Sequence, residues 1–148
     1  MIRFRLERPG ARLPYRAFPG DIGLDFAVPS NILLLPQSTK VVDFGVSFVV
    51  NFNCQMLMMG RSGLSMLGLE VIPGLIGQNY NGTLAAVLKN NSAAPMQLPA
   101  GMRVAQLMIV PVCSFVVGPP LVGPPQVSQA SGGRWKRRFG SSGVYGLG

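Results

Sequence analysis

The sequence predicts an all-β domain, a β-sandwich or jelly roll, and three observations predict it. Short apolar runs recur along the chain, and the longest alternates at period two, as half-buried strands do. Gly (19) and Pro (13) punctuate those runs, which suits many turns and few long helices. Charged residues make up only 12% of the chain and hydrophobic ones 48%, against about a quarter charged in an ordinary globular protein. A length of 148 residues fits one domain with a proper core. A surface so poor in charge predicts cover by a partner, such as sister subunits.

Taken in order, Ile2 to Leu6 alternates apolar and basic residues and predicts a strand. Arg8-Pro9-Gly10-Ala11 breaks it, and Leu13 to Gly20 is an extended approach to a glycine-rich loop holding Asp25. Asn31 to Pro36 is a short apolar strand ended by proline. Val42, Phe44, Val46, Phe48 and Val50 fall at period two and predict the clearest strand, with one face buried. Met56 to Met59 is another strand, leading into Gly60-Arg61-Ser62-Gly63-Leu64. Leu64 to Leu67 predicts the one short helix, closed by Gly68. Pro73 to Ile76 reads as a turn and a short strand, Asn81-Gly82 as a tight hairpin, and Thr83 to Leu88 as its return. Lys89 to Ser92 is a loop, and Met102 to Val112 is the final strand. Gly118 to Pro125 reads as a semi-rigid linker. The predicted organisation is therefore a β domain over 1–117, a linker over 118–125 and a mobile arm over 126–148.

Few residues are available for chemistry. The chain has no histidine, which excludes His-based catalysis and His metal ligands. Its acids are Glu7, Asp21, Asp25, Asp43 and Glu70. The net charge of +8 favours phosphate-bearing partners. Around Arg61, glycines let backbone N–H groups approach a ligand, the guanidinium fits phosphate oxygens, and Ser62 adds a small donor. The bland reading of that stretch is an exposed loop. Tyr80 beside Asn81-Gly82 offers a ring on which a flat ligand could stack, or simple packing at a hairpin end. Asp25 could equally cap N–H groups in a turn. Gln106 shares a strand face with Met102, Val104, Met108 and Val110, and a polar group there needs a hydrogen-bond partner. Cys54 and Cys113 sit in apolar runs and read as buried core residues. Met1 to Arg5 does not read as a signal peptide, and no apolar run reaches membrane-spanning length. These readings predict an intracellular protein with reduced thiols, in the nucleus or the cytoplasm. Arg134-Trp135-Lys136-Arg137-Arg138 also reads as a nucleic-acid or nuclear-import patch.

Five motifs in order resemble those of the trimeric dUTPase family, the dUTP diphosphatases. Gly20 to Phe26 (GDIGLDF) resembles the family's S-A-G-x-D-L, and Gly60 to Ser65 (GRSGLS) its P-R-S-G-L-A. Gly74 to Gly82 (GLIGQNYNG) is similar to G-x-I-D-x-x-Y-x-G, and Gly101 to Leu107 (GMRVAQL) to G-x-R-I-A-Q-L. Arg134 with Phe139 to Gly143 (FGSSG) is similar to R-G-x-G-G-F-G-S-T-G. The resemblance covers nearly the whole chain. It implies a homotrimeric jelly roll with active sites shared between subunits. It also implies hydrolysis of dUTP to dUMP and pyrophosphate, with Mg²⁺ held through water by Asp25.

The resemblance implies further roles. Backbone groups between Leu75, Ile76 and Ala85 would read the uracil, and Tyr80, with Gly82 beside it, would close on the deoxyribose. Arg61, Ser62, Gly63 and Gln106 would meet the phosphates. In the arm, Arg134 would contact the terminal phosphate, Phe139 would stack on the base, and Gly140 and Ser141 would supply N–H groups. Two departures matter. The aspartate that activates the attacking water in the family is here Gly77, which cannot take a proton. The flexible glycines before Phe139 are here Trp135 to Arg138. Glu70 and Asp21 are the remaining carboxylates that could stand in as a base, and neither matches the missing position. Two classes follow: a dUTPase-like nucleotide protein with hydrolysis weak or lost, or a non-catalytic interaction protein on the same fold. Degenerate viral members, including adenovirus early proteins, resemble the second. A dCTP deaminase relative is a distant third.

Overall fold

The computed structural model describes residues 1–113 and 116–120. Its elements follow the alternation in the sequence. Strands β1 (Ile2–Leu6), β2 (Gly23–Ala27), β3 (Ile32–Leu34), β4 (Thr39–Asp43), β5 (Val46–Val50) and β6 (Cys54–Gly60) precede a one-turn helix, α1 (Ser62–Ser65). After it come β7 (Leu69–Ile72), β8 (Gly74–Gly77), β9 (Ala85–Asn90), β10 (Met96–Leu98) and β11 (Arg103–Pro111). Two sheets make the sandwich: a four-stranded one in the order β2-β11-β6-β8 and a three-stranded one in the order β4-β9-β7. Two small ribbons, β1-β5 and β10-β3, complete it, and all pairings are antiparallel. The all-β class read from the sequence is the class observed.

The core lies between the sheets. Phe26, Met56, Met58 and Leu107 face it from one side, and Val42, Ala86, Leu88, Leu69 and Val71 from the other, all buried. Phe26 stacks at a tilt on Phe44, with ring centroids 5.2 Å apart. The chain divides by contact into two units, Met1–Ser114 and Phe115–Gly148. Of the second unit, the described residues 116–120 are exposed and carry no regular element. The arm residues Arg134, Phe139, Gly140 and Ser141 lie outside the described residues.

Six sequence expectations change. Asp25, read in a glycine-rich loop, lies on β2, where pairing with β11 makes the segment a strand, and the expected loop from Lys89 begins only after β9 ends at Asn90. The period-two run from Val42 to Val50 is two strands, not one. Gly45 has φ +68, a left-handed turn that favours glycine, and its N–H donates to Asp43 Oδ1 at 2.7 Å. β4 leaves to pair with β9, and β5 with β1. Burial nevertheless continues at period two through the break, at Val42, Phe44, Val46 and Phe48, so the face was legible and the break was not. Asn81-Gly82 is not a hairpin turn, because β8 pairs with β6 while β9 pairs with β4 and β7. A two-residue hairpin of that kind needs positive φ, which neither residue has. The helix starts two residues earlier than expected, because the Arg61 carbonyl already accepts from the N–H groups of Leu64 and Ser65; Gly68 ends the turn at φ +92. Cys113 is exposed because β11 ends at Pro111, whereas Cys54 is buried at the start of β6. Burial raises the Cys54 thiol pKa, which keeps it a protonated, unreactive core residue.

Asn90, at the end of β9, is fully buried. Its Nδ2 donates to the carbonyls of Leu34 (3.1 Å) and Ala94 (2.8 Å), and its Oδ1 accepts from the Ser92 N–H (2.9 Å) and hydroxyl (2.7 Å). These bonds tie three segments together. Asn90→Leu should lower unfolding free energy by about 3 kcal/mol, since it removes four hydrogen bonds and leaves the buried Leu34 carbonyl without its partner. A urea titration checks this, and a change within about 0.5 kcal/mol, the range of an unremarkable surface substitution, would contradict it.

Candidate nucleotide site

A cavity of about 720 Å³ opens where β2, the end of β6 and α1 meet. Its wall includes Asp21, Asp25, Arg61, Ser62, Gly63 and Gln106. Register explains the gathering. On β11, Gln106 stands opposite Asp25 of β2 and Met59 of β6, so all three share one sheet face. β6 ends at Gly60, and Arg61 follows in extended conformation (φ −101, ψ 129) before the helix. The sequence therefore delivers a carboxylate, an amide and a guanidinium to one rim.

Their geometry is fixed by mutual contacts. Arg61 Nη2 lies 3.2 Å from Asp25 Oδ2, and Arg61 Nη1 donates to the Arg103 carbonyl at 2.8 Å. Arg103 Nη1 reaches the same Asp25 oxygen at 3.3 Å, and its guanidinium carbon sits 4.9 Å from the centre of the Tyr15 ring. Tyr15 is itself held by a two-way backbone bridge to Asp25, at 2.9 and 2.7 Å. Gln106 Nε2 donates to the Gly60 carbonyl at 2.7 Å. A side chain on Gly23 would meet Gln106 Oε1 at 2.5 Å, so glycine at 23 is what lets the glutamine lie there. Of the two open readings of Gln106, a bond within the fold is observed, on the wall of the cavity. Two guanidinium groups converge on one mostly buried carboxylate, and Arg61, on the cavity wall beside Ser62, offers N–H donors in an arrangement suited to an anion with several oxygens.

Asp21 lies on the same wall, but its Oδ2 accepts from the Phe18 N–H at 2.9 Å, a local turn contact. Glu70 is elsewhere, on β7, accepting from Asn91 Nδ2 at 2.7 Å. Among the described residues, no group of three or more His, Cys, Asp or Glu side chains is placed to hold a metal directly.

The second half of the expected site lies apart. Leu75, Ile76, Gly77, Tyr80 and Ala85 line a small cleft of about 190 Å³, and Gly77 and Tyr80 also line a polar one of about 350 Å³ with Asn53, Gln55 and Gln78. Gly77 pairs with Gln55, near the start of β6, while the Arg61 cavity is at the other end of that strand. Along the sheet face Gly77 shares a row with Val110, four residues from Gln106. That separation is about 13 Å along the strands and about 10 Å across them. Between the halves runs an apolar row of Met108, Leu57 and Leu75, the last 73% exposed. One chain therefore does not bring Gly77 and Tyr80 to Arg61.

A Cβ built on Gly77 meets nothing within 4 Å. Tyr80 is held over Gly82, where a Cβ would stand 2.5 Å from the phenol oxygen. This close approach, rather than a hairpin, is what glycine at 82 permits.

A family model for dUTPase matches residues 10–143. The chain belongs to the dUTPase family. Among its relatives, deoxyuridine 5'-triphosphate nucleotidohydrolase of Tropheryma whipplei is 34% identical over 142 residues, 92% of each chain. That of Mycobacterium marinum is 37% identical over 105 residues, 68% of each chain. Among solved structures, a variant of the Staphylococcus bacteriophage 80alpha dUTPase with dUpNHpp is 25% identical, with a TM-score of 0.86 over 97% of this chain and 99% of that one. A variant dUTPase of phage phi11 of S. aureus, described with a structural Mg(II) ion, is 25% identical, with a TM-score of 0.76 over 81% of this chain and 96% of that one. Within this dUTPase-family chain, sequence reasoning passed over Arg103 and Tyr15. Both bear on Asp25, and only strand register reveals it.

Proposed function

We propose that this chain binds dUTP and hydrolyses it to dUMP and pyrophosphate weakly or not at all. The observation that carries the reading is Gly77, which stands where the family's motif has its base and leaves the surrounding space open. The rest of the machinery supports binding. Arg61, Ser62, Gly63 and Gln106 would take the phosphate oxygens at the first cavity. Arg61 arrives there already oriented by Asp25 and the Arg103 carbonyl. Leu75, Ile76 and Ala85 would present backbone groups to the uracil, with Tyr80 closing on the deoxyribose and excluding a ribose 2'-OH. Asp25 would hold Mg²⁺ through water; a cation that keeps its waters and uses few carboxylates fits a wall whose carboxylates are Asp25 and Asp21, beside substrate phosphates. When bound, the metal neutralises phosphate charge.

The separation of the two halves supports a homotrimer in which Gly77 and Tyr80 of one subunit face Arg61 of another. The apolar row between the halves supports the same assembly, since exposed apolar surface of this kind is normally covered. The protein would act inside a cell, in nucleus or cytoplasm. The arm, with Arg134, Phe139, Gly140 and Ser141, would add contacts from outside the sandwich. Truncation after Gln129 should therefore weaken binding of a non-hydrolysable dUTP analogue about tenfold or more, the loss of one or two charge-assisted contacts; unchanged affinity would remove the arm from the site. The reading as a whole is tested by pyrophosphate release from dUTP with Mg²⁺. Slow release from dUTP and none from dTTP is expected, and turnover at ordinary enzyme rates of about 1–1,000 per second would contradict it.

A second reading, a non-catalytic interaction protein, is favoured by the same glycine. No shift in melting temperature with any deoxyuridine nucleotide would support it.

A further inference from the structure

The phenol of Tyr80 is held by a relay that starts on another sheet strand. Tyr80 Oη donates to the Thr83 carbonyl at 2.9 Å. The Thr83 hydroxyl in turn donates to Asp43 Oδ2 at 2.9 Å. Asp43 is fixed through its other oxygen, which accepts from the Gly45 N–H at 2.7 Å, and Arg8 Nη2 lies 3.8 Å from that oxygen. Arg8 also donates to the Asp43 carbonyl. The left-handed turn at Gly45, which splits the expected long strand, is what presents its N–H to Asp43. Every link is a donor facing an acceptor, and both carboxylate oxygens are used.

The relay matters because the stretch is tied mainly at its ends: Gln78 Oε1 accepts from the Cys54 N–H and Tyr80 N–H donates to the Gly77 carbonyl, while buried Leu84 bonds Val46 and Phe44 through its backbone, which leaves the Tyr80 side chain to the relay. Residues 78–84 connect β8 to β9, which do not pair with each other. Tyr80 itself is 46% exposed, so packing alone does not fix its ring. Gly82 leaves the ring room to fold back, and Thr83 presents its carbonyl as the acceptor; Leu84 anchors the chain on one side of Thr83, and the hydroxyl bond to Asp43 sets the orientation of Thr83 itself.

We propose that Asp43 and Thr83 are positioning residues for Tyr80, and so set how strictly the site prefers deoxyribose over ribose. This rests on the nucleotide reading above, in which Tyr80 meets the sugar. Neither residue touches ligand; each acts through the tyrosine. A ring free to swing would tolerate a 2'-OH that a fixed ring excludes.

The test uses the full chain and two readouts. The first is the ratio of affinities for non-hydrolysable dUTP and UTP analogues with Mg²⁺. Thr83→Val keeps the shape and removes the hydroxyl. It should lower that ratio about three- to tenfold, the part of one lost hydroxyl–carboxylate hydrogen bond that reaches the ring, chiefly by improving the UTP analogue relative to dUTP. Thr83→Ser should restore the ratio, Asp43→Asn should lower it in part, and adding Thr83→Val to Tyr80→Phe should cost no more than Tyr80→Phe alone. A purely structural role would weaken both nucleotides together. The second readout needs no ligand. With 3-fluorotyrosine incorporated, the ¹⁹F resonance lost in Tyr80→Phe should shift in Thr83→Val, while that of Tyr15 stays in place. An unmoved Tyr80 resonance, or a moved one with an unchanged ratio, overturns the proposal. A moved resonance in a protein that binds neither analogue leaves the relay standing as the device that holds Tyr80 and overturns the sugar preference together with the nucleotide reading.

Discussion

Gly77→Asp should raise hydrolysis of dUTP by about two to four powers of ten, the usual contribution of a positioned general base. The structure gives the new carboxylate room, since a Cβ at 77 meets no atom within 4 Å. Gly77 is not in the left-handed region, so a side chain adds no backbone strain. It ends an edge strand paired on one side with β6, where aspartate costs at most about 1 kcal/mol of strand preference. Its neighbour across the pair is Gln55, an amide that can hydrogen-bond a carboxylate without repelling it. Gly77→Asn is the control: it fills the same space and cannot take a proton. Pyrophosphate release under single-turnover conditions separates the two. A gain in the aspartate variant alone assigns the lesion to this position. Equal rates in both variants would show that other parts of the site limit turnover.

Arg61→Ala should weaken binding of a non-hydrolysable dUTP analogue about 10- to 100-fold, as expected for removing a charge-assisted bond to a phosphate. Arg61 is the group most firmly aimed at the cavity, braced by Asp25 at 3.2 Å and by the Arg103 carbonyl at 2.8 Å. The substitution frees one side of the Asp25 carboxylate and the Arg103 carbonyl, but Arg103 still pairs with Asp25, so the fold should survive with a loss of about 1–3 kcal/mol. Arg61→Lys keeps the charge and loses the fork. It should recover only part of the affinity, because a lysine cannot hold the aspartate and a phosphate in one plane. Titration calorimetry reads both variants, and an Arg61→Ala protein that binds as tightly as the parent would remove Arg61 from the site.

Much of the fold was legible because burial alternates along the strands. Val42, Phe44, Val46 and Phe48 are buried while Asp43 and Ser47 between them are only partly covered, and that alternation is printed in the sequence. What was not legible depends on partners. The run from Val42 to Val50 keeps its buried face across Gly45, so only the change of pairing partner marks the break. Asn81-Gly82 carries a local preference for a tight turn, and the edges of β6 and of β4 and β7 outweigh it by capturing β8 and β9. Gln106 sat among apolar neighbours in sequence, and a register shift between Arg103 and Ala105 lets both Val104 and Ala105 be buried while Gln106 turns to the cavity. Motif resemblance singled out Arg61, Ser62, Gly63, Asp25 and Gln106, and the structure gathers these five on one wall. Arg103 lies within a motif that carries no sign of its role, because its pairing with Asp25 and its stacking on Tyr15 exist only once β2 and β11 are in register.

The most direct test of the central claim is calorimetric titration of the unmodified protein with a non-hydrolysable dUTP analogue and Mg²⁺. Binding at about 1 μM or tighter, worth roughly 8 kcal/mol, is the expected result and would leave Gly77 as the reason for slow turnover. A folded protein that gives no heat with the nucleotide would contradict the account and make the sandwich a scaffold for a protein partner.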